Sequence, residues 1–241
     1  MSYGLDKPII AIVGSKDSGK TLAVEALVQG LSSKGYRVAT VKHIPKVNFT
    51  IDQEGTDTWR HARAGAKVVV SVSPDELATI KRVDTRDYGL AKIIMECGED
   101  TDVVVLEGFK KLVKKDPRII KLVAVKNVEE IQEASKEFST ILAYVGSISA
   151  EHLPKSFNYM SLFEEREKLV NLVYERAEAF MKGLKPRVAT ISVDRRFVPC
   201  KRFVQEFIRK TVLAMISSLR GVDLAGDEEV YVAIRSKKPG K

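Results

Sequence analysis

The sequence is poor in cysteine and contains no long apolar run, and each absence argues against a class of protein. Its two cysteines, Cys97 and Cys200, form no Cys-x-x-Cys pair, so a disulfide-stabilised extracellular fold is not expected. No apolar segment approaches the roughly 20 residues that a membrane-spanning helix requires. The first residues also lack the apolar core of a signal peptide. We therefore expect a cytoplasmic protein that does not contact a membrane.

The net charge of +8 at neutral pH favours anionic ligands. Nucleotides, phosphorylated cofactors, nucleic acids and acidic protein surfaces all meet this description, and charge alone does not choose among them. Basic residues are concentrated at 110–111, 114–115, 195–196 and 201–202. Because these runs are not interleaved with aromatic residues, they do not resemble a base-stacking surface. Nucleic acid is therefore the least favoured of these partners.

Short apolar segments alternate with helical patterns through most of the chain. Strands are predicted over 9–13, 37–41, 67–72, 77–83, 103–106, 119–125 and 141–145. Helices are predicted after residue 20 and over 57–64, 88–97, 128–138 and 162–181, with Asp57 as the N-cap of the second. This alternation is typical of βαβ units. The expected fold class is α/β, with a mostly parallel sheet flanked by helices.

The pattern changes at Lys185-Pro186, where a smaller accessory module is predicted to begin. A strand over 188–193, a turn over 194–196, a helix over 200–219 and a strand over 229–234 suit a small α+β appendage. We therefore divide the chain into a nucleotide-binding domain over 1–184 and an accessory module over 185–241. A module of this size is marginal on its own, and we expect it to serve in subunit pairing.

Residues 14–21 read Gly-Ser-Lys-Asp-Ser-Gly-Lys-Thr and follow an apolar strand directly, which predicts a P-loop. Glycines let the backbone curl so that its N–H groups point at phosphate oxygens, and the following helix contributes its positive end. Lys20 would reach the β- and γ-phosphates, and the hydroxyl of Thr21 would bind Mg²⁺. The predicted nucleotide ligands are Gly14, Ser15, Lys16, Asp17, Ser18, Gly19, Lys20 and Thr21.

A second acidic element is expected at the end of the strand over 103–106. Glu107 and Gly108 follow four apolar residues, at the position where P-loop proteins place a carboxylate near the metal. Glu107 could bind Mg²⁺ through water or orient an attacking water molecule, and it could also simply cap the strand. Lys110 lies just beyond and is a candidate for binding an anion.

Three segments together indicate a known family. They are VGSKDSGKT at 13–21, TVKHIPKVNFTIDQEGTDTWRHARAGA at 40–66 and VVVLEGFKK at 103–111. In order and spacing they resemble the molybdopterin-guanine dinucleotide biosynthesis protein B (MobB) family over residues 8–182. The resemblance implies a P-loop protein that binds GTP and Mg²⁺ and assists a molybdopterin guanylyltransferase in attaching GMP to molybdopterin. It further implies a homodimer, with molybdopterin or its guanine dinucleotide as a further ligand.

The same resemblance implies roles for individual residues outside the P-loop. His43 and Lys110 are expected beside the nucleotide, Glu107 and Asp57 in catalysis, and Asp52 and Glu107 with Thr21 at the metal. Ile44-Pro45-Lys46 stands where many members have further histidines. An Asn-Lys-x-Asp guanine-reading motif is absent, so the residues themselves predict only a purine nucleoside triphosphate, and GTP is implied by the family.

Two classes of function are compatible with these motifs. The first is a GTP-binding adapter that hydrolyses GTP slowly or not at all. The alternative is a P-loop kinase or ATP-dependent ligase acting on a small anionic metabolite. The sequence contains no arginine-rich lid and no evident general base beside the P-loop. Since arginine fingers accelerate related reactions by several orders of magnitude, this favours the adapter.

Overall fold

A computed structural model describes residues 7–98, 100–148, 157–183, 189, 191–193, 196–198, 200–222, 230 and 232. The strands are β1 Ile9–Gly14, β2 Val38–Lys42, β3 Val68–Val72, β4 Leu77–Lys81, β5 Val103–Glu107, β6 Ile120–Ala124, β7 Ile141–Gly146, β8 Tyr159–Ser161, β9 Ser192–Val193 and β10 Arg196–Phe197. The helices are α1 Lys20–Ser33, α2 Asp57–Arg63, α3 Leu90–Met95, α4 Lys110–Val113, α5 Val128–Glu137, α6 Arg166–Gly183 and α7 Arg202–Ser217.

The chain forms two compact units. The larger extends from Tyr3 to Leu184 and holds β1–β8 with α1–α6, and the smaller contains Lys185–Lys241. Within the smaller unit, β9 and β10 pair antiparallel and precede α7. No helix in the described part of the chain is both long enough and apolar enough to cross a bilayer.

Six strands of the larger unit form one parallel sheet in the order β2-β5-β1-β6-β7-β8. The register places Ile10 between Val105 on β5 and Ile120 on β6. Apart from Glu107 and Lys121, the side chains of β1, β5 and β6 are apolar, and most residues of these strands are buried on both faces, as parallel strands between two helical layers require. The expected α/β class, with a mostly parallel sheet flanked by helices, is confirmed.

Side chains that alternate along β1 build two separate cores. Ile10 and Ile12 face α1 and α6, where Leu27 and Val173 are fully buried. Ile9, Ala11 and Val13 face the opposite layer, which includes Val113 of α4, Ile131 of α5 and Phe138 directly after α5. The α1–α6 contact is close, because a Cβ atom on Gly30 would lie only 2.4 Å from Cγ1 of Val170. Gly30 therefore lets the two helices approach each other.

The strands β3 and β4 form a separate antiparallel hairpin, with Val68 opposite Lys81 and Val72 opposite Leu77. Val69 is buried, whereas Val68, Val70, Val72 and Leu77 are exposed. Since side chains alternate between faces, the exposed apolar residues share one face of this hairpin. Both strands were predicted, but their separation from the main sheet was not.

Several predicted boundaries are wrong. The N-cap of α2 is Thr56, whose hydroxyl accepts from the Trp59 amide, and Asp57 is the first helical residue. The helix predicted from 162 begins at Arg166, because Ser161 ends β8 and its hydroxyl accepts from the amides of the following turn. Helices α3 and α7 are shorter than predicted, and β8 and α4 were not predicted. The strand predicted over 229–234 and the turn predicted at 194–196 lie mostly outside the described residues.

Candidate nucleotide-binding site

The predicted P-loop and the predicted acidic strand end meet at one edge of the main sheet. Gly14 ends β1, Lys42 ends β2 and Glu107 ends β5, and the parallel register pairs Lys42 with Glu107. On the other side of β1, Gly14 pairs with Ala124 at the end of β6. The carboxyl ends of parallel strands are where open α/β sheets bind their ligands, so the arrangement indicates a ligand site at this edge.

Gly14 is required by a close approach between the loop and β6. A Cβ atom at this position would lie 2.2 Å from the carbonyl oxygen of Ala124 and 2.7 Å from Oγ of Ser18. Neither distance is sterically possible for a real side chain. The loop is consequently pressed against the sheet, and its backbone follows a path that any larger residue would displace.

Polar contacts inside the loop converge on the carbonyl oxygen of Ser15. The buried Ser18 hydroxyl donates to this oxygen at 2.9 Å, and the Lys20 ammonium group donates to it as well. Asp17 and Gly19 adopt positive φ angles of 59° and 88°, which give the loop its curl. The Lys20 side chain thus lies across the loop and closes it.

The first turn of α1 adds N–H groups that have no acceptor within the helix. Lys20 is the first residue of α1, and the amide of Ala23 is bonded to the Gly19 carbonyl. Amide groups that precede the first intrahelical bond have no helical acceptor and point toward the loop. Burial lowers the pKa of Lys20, while the nearby Glu107 and Asp17 carboxylates oppose that effect. Burial therefore disfavours the ammonium form of Lys20, and the two carboxylates support it.

Glu107 connects the loop to β2. Its side chain is only 12% exposed, and its Oε1 atom accepts from Thr21 Oγ1 at 3.3 Å and pairs with Lys42 Nζ at 2.9 Å. Lys42 was not singled out from the sequence. Two features could have identified Lys42. It ends a strand directly before His43, and that strand lies next to the one that ends at Glu107.

His43 lies beside the same segment. Its amide donates to the Glu107 carbonyl at 2.9 Å, and its ring packs against Phe109 with 5.2 Å between centroids. A Cβ atom on Gly108 would approach Cβ of His43 to 3.1 Å, so glycine permits this packing. Phe109 has a positive φ of 57°, an uncommon conformation for a bulky residue. The backbone after Glu107 is thus shaped around His43.

The remaining predicted site residues make contacts farther from the loop. Lys110 pairs with Glu137 of α5 at 2.6 Å. Asp52 Oδ1 accepts from the hydroxyls of Thr56 and Thr58, and so orders the segment that leads into α2. Asp57 is exposed and pairs with Arg60 at 3.5 Å. Roles for Lys110, Asp52 and Asp57 at the nucleotide stay predictions.

The oxygen ligands at the loop suit Mg²⁺. A hydroxyl from Thr21 and a carboxylate from Glu107 are hard donors, and this metal is commonly held by few protein ligands together with phosphate oxygens and water. In the part of the chain that the structure describes, no three His, Cys, Asp or Glu side chains converge on a common point. The residues present therefore fit a metal bound together with a nucleotide.

Comparison with known proteins agrees with this geometry. A family model described as molybdopterin guanine dinucleotide synthesis protein B (MobB) matches residues 9–146, which is more than half of the chain. The chain belongs to the MobB family. The matched range contains the glycine loop, Lys42, His43 and Glu107. The family resemblance inferred from the three sequence segments is confirmed.

Curated and structurally solved relatives extend the match. A putative molybdopterin-guanine dinucleotide biosynthesis adapter protein of Methanocaldococcus jannaschii is 26% identical, over 89% of this chain and 93% of its own. The Haemophilus influenzae adapter protein is 33% identical over 43% of this chain and 58% of its own. The crystal structure of Bacillus subtilis MobB has a TM-score of 0.57 and 25% identity, covering 70% of this chain and 98% of that one.

The curated relative and the solved structures cover different shares of this chain, which bears on the C-terminal unit. The similarity to the Methanocaldococcus jannaschii protein covers 89% of this chain. The residues before Lys185 make up a smaller share than that, so the similarity extends into the C-terminal unit. A solved molybdopterin-guanine biosynthesis protein B, with a TM-score of 0.54 and 29% identity, is covered over 99% of its length by 70% of this chain. The similarity to the Methanocaldococcus jannaschii protein therefore includes part of the C-terminal unit.

Proposed function

We propose that this MobB-family protein binds GTP with Mg²⁺ and acts as an adapter in the biosynthesis of the molybdopterin guanine dinucleotide cofactor. One observation carries the proposal. In a chain of this family, Lys20 closes the loop over 14–21 onto the Ser15 carbonyl, and Thr21 at the end of that loop contacts Glu107 at the carboxyl edge of the sheet. The names of the curated relatives support the choice of pathway.

Each loop group has a distinct task in this proposal. Backbone amides of the loop and of the first turn of α1 would hold the β-phosphate, and the Lys20 ammonium would leave the Ser15 carbonyl for β- and γ-phosphate oxygens. Thr21 and Glu107 would hold Mg²⁺, with Asp52 reaching the site from the loop before α2 and Asp57 from the first position of α2. The metal would neutralise negative charge on the phosphates.

An adapter suits this site better than a fast enzyme. Among the described residues, Lys20 contacts the loop and Lys42 contacts the Glu107 carboxylate, whereas Arg60 pairs with Asp57 and Arg63 stacks on Trp59 in α2. Without an arginine to stabilise transition-state charge, P-loop sites turn over slowly. We therefore expect GTP hydrolysis far below one turnover per second.

The partners follow from the adapter role. The protein would act in the cytoplasm, docked on the molybdopterin guanylyltransferase, with molybdopterin or its guanine dinucleotide as the compound handled. A homodimer is part of the proposal. The exposed apolar face of the β3–β4 hairpin supports it, because an isolated two-stranded sheet is marginally stable and a second copy could cover the same face symmetrically. The unit over 185–241 would strengthen this pairing.

Isothermal titration with GTP and ATP tests the proposal. Wild type should bind GTP in preference to ATP, and Lys20→Ala should weaken GTP binding about 100-fold, as expected for losing a charge-assisted contact of about 3 kcal/mol. Lys34→Ala, at the far end of α1, is the matched control and should bind as wild type does. Preference for ATP, or turnover of several per second without a partner, would favour the kinase or ligase interpretation.

Co-purification tests the adapter role separately. The cognate guanylyltransferase should be retained by the full-length protein, and retention should change when GTP is added. Equal absence of retention with and without GTP would contradict the adapter role even if GTP binds. For the homodimer, Val70→Lys should lower the solution mass to that of a monomer, because a charge on the hairpin face opposes pairing.

A further inference from the structure

Lys42 occupies an unusual position for a surface lysine. It ends β2 and lies directly across the register from Glu107, whose side chain is almost buried while that of Lys42 is 55% exposed. In this 2.9 Å ion pair, the Glu107 carboxylate is therefore held in place by its surroundings, whereas the Lys42 side chain is largely exposed to solvent. Such a lysine can leave its partner at small conformational cost, because its long side chain already reaches solvent.

The carboxylate oxygen that binds Lys42 is also the oxygen that faces the predicted metal ligand. Both Lys42 Nζ and Thr21 Oγ1 contact Oε1 of Glu107. Mg²⁺ binds oxygen ligands at about 2.0–2.1 Å. An ammonium group and a divalent cation on one oxygen would repel each other, so Lys42 and a metal compete for this atom.

We propose that Lys42 is a positioning residue that holds Glu107 in place of the metal in the ligand-free protein, and that in the complex with Mg²⁺ and GTP its ammonium group would leave Glu107 and pair with the triphosphate instead. This inference rests on the proposed function. If Lys42 changes partners in this way, metal and nucleotide binding are cooperative. Once the phosphates bind the Lys42 ammonium group, the Glu107 carboxylate is available to bind the metal. Metal alone should bind weakly.

Mn²⁺ binding to the nucleotide-free protein, measured by electron paramagnetic resonance, tests the first step. Mn²⁺ prefers the same oxygen ligands as Mg²⁺. Lys42→Met should bind Mn²⁺ roughly fivefold more tightly than wild type, the change expected for removing a competing ion pair worth about 1 kcal/mol. Lys42→Arg should restore the weak binding of wild type. The double variant Lys42→Met with Glu107→Gln should lose the gain.

Lys168→Met is the matched control. Lys168 of α6 pairs with Glu165, in the turn before α6, at 2.8 Å. As in the Lys42–Glu107 pair, the lysine is more exposed than the carboxylate. Its Mn²⁺ affinity should equal that of wild type. Thermal unfolding of each variant checks that the fold is retained, and Lys42→Gln serves in place of Lys42→Met if that variant unfolds.

GTP titration at saturating Mg²⁺ tests the second step. Lys42→Met should weaken GTP binding roughly fivefold or more, since the triphosphate loses one cation. Unchanged Mn²⁺ affinity in Lys42→Met would overturn the competition, and unchanged GTP affinity would overturn the transfer. If wild type fails to bind GTP, the proposed function fails, whereas the Mn²⁺ measurement still decides whether Lys42 competes for Glu107.

Discussion

Replacing Gly14 by alanine gives the sharpest test of the loop geometry. The added Cβ atom would lie 2.2 Å from the Ala124 carbonyl oxygen, whereas ordinary contacts begin at 3.4 Å. The loop and β6 must therefore separate by about 1 Å, a shift that moves the loop amides away from the phosphate and typically costs about 1–3 kcal/mol of stability.

The expected loss of GTP affinity follows from those amides. A hydrogen bond to a charged group contributes about 1.5–3 kcal/mol. Losing one of them costs about 1.5–3 kcal/mol, or about 10- to 150-fold in the dissociation constant. Isothermal titration with GTP measures this loss, and denaturant unfolding measures the accompanying loss of stability.

Gly30→Ala separates the two effects. Its Cβ atom would clash with Val170 at 2.4 Å, but the clash lies between α1 and α6 and not at the loop. We expect a stability loss of about 1–2 kcal/mol, since overpacking is partly offset by the better helix propensity of alanine. GTP affinity should be unchanged. Wild-type GTP affinity in folded Gly14→Ala would refute the assignment of this loop as the phosphate site.

Three further predictions concern single side chains. Lys121 is fully buried and donates to two carbonyl oxygens and to Thr140, so Lys121→Met should lower the free energy of unfolding by about 1–3 kcal/mol in urea titrations; an unchanged value would contradict this. Burial lowers the pKa of Lys121, and folding therefore favours its neutral form. The stability of wild type relative to Lys121→Met should rise as the pH increases from the folded-state pKa toward the ordinary lysine value; a flat difference between the two unfolding curves up to pH 10 would contradict that sign. A hydrogen bond from Arg118 lowers the pKa of Asp116, so the ionised carboxylate stabilises the fold above about pH 4, and this stabilisation is lost as the pH falls through the folded-state pKa. Asp116→Asn should remove this pH-dependent stabilisation, as measured by thermal unfolding from pH 2 to 7. Identical pH profiles for wild type and variant would contradict this prediction.

The parts of the site that a contiguous pattern encodes were predictable. The structures of the loop from Gly14 to Thr21 and of the strand ending at Glu107 are determined by residues that are adjacent in sequence. These are an apolar run, glycines and the start of a helix. The fold class followed for the same reason. The two strand ends that carry Gly14 and Glu107, and the pairing of their strands, were therefore predicted correctly.

Contacts set by the register between distant segments were not predictable. The pairing of Lys42 with Glu107 depends on which strands become neighbours, and a lysine at a strand end reads locally as a solvated charge. Lys110 looked equally available, yet Glu137 of α5 binds it. Asp57 was given the N-cap because aspartate favours that position, whereas the hydroxyl of Thr56 takes it.

The close packing of α1 on α6 has a consequence for synthesis on the ribosome. α1 follows the first strand, but the helix that covers Leu27 and Leu31 ends only at Gly183. A nascent chain released before that point would expose these leucines, together with the residues that flank the loop. We therefore expect the emerging polypeptide to remain vulnerable to proteases and dependent on chaperones until α6 has left the exit tunnel.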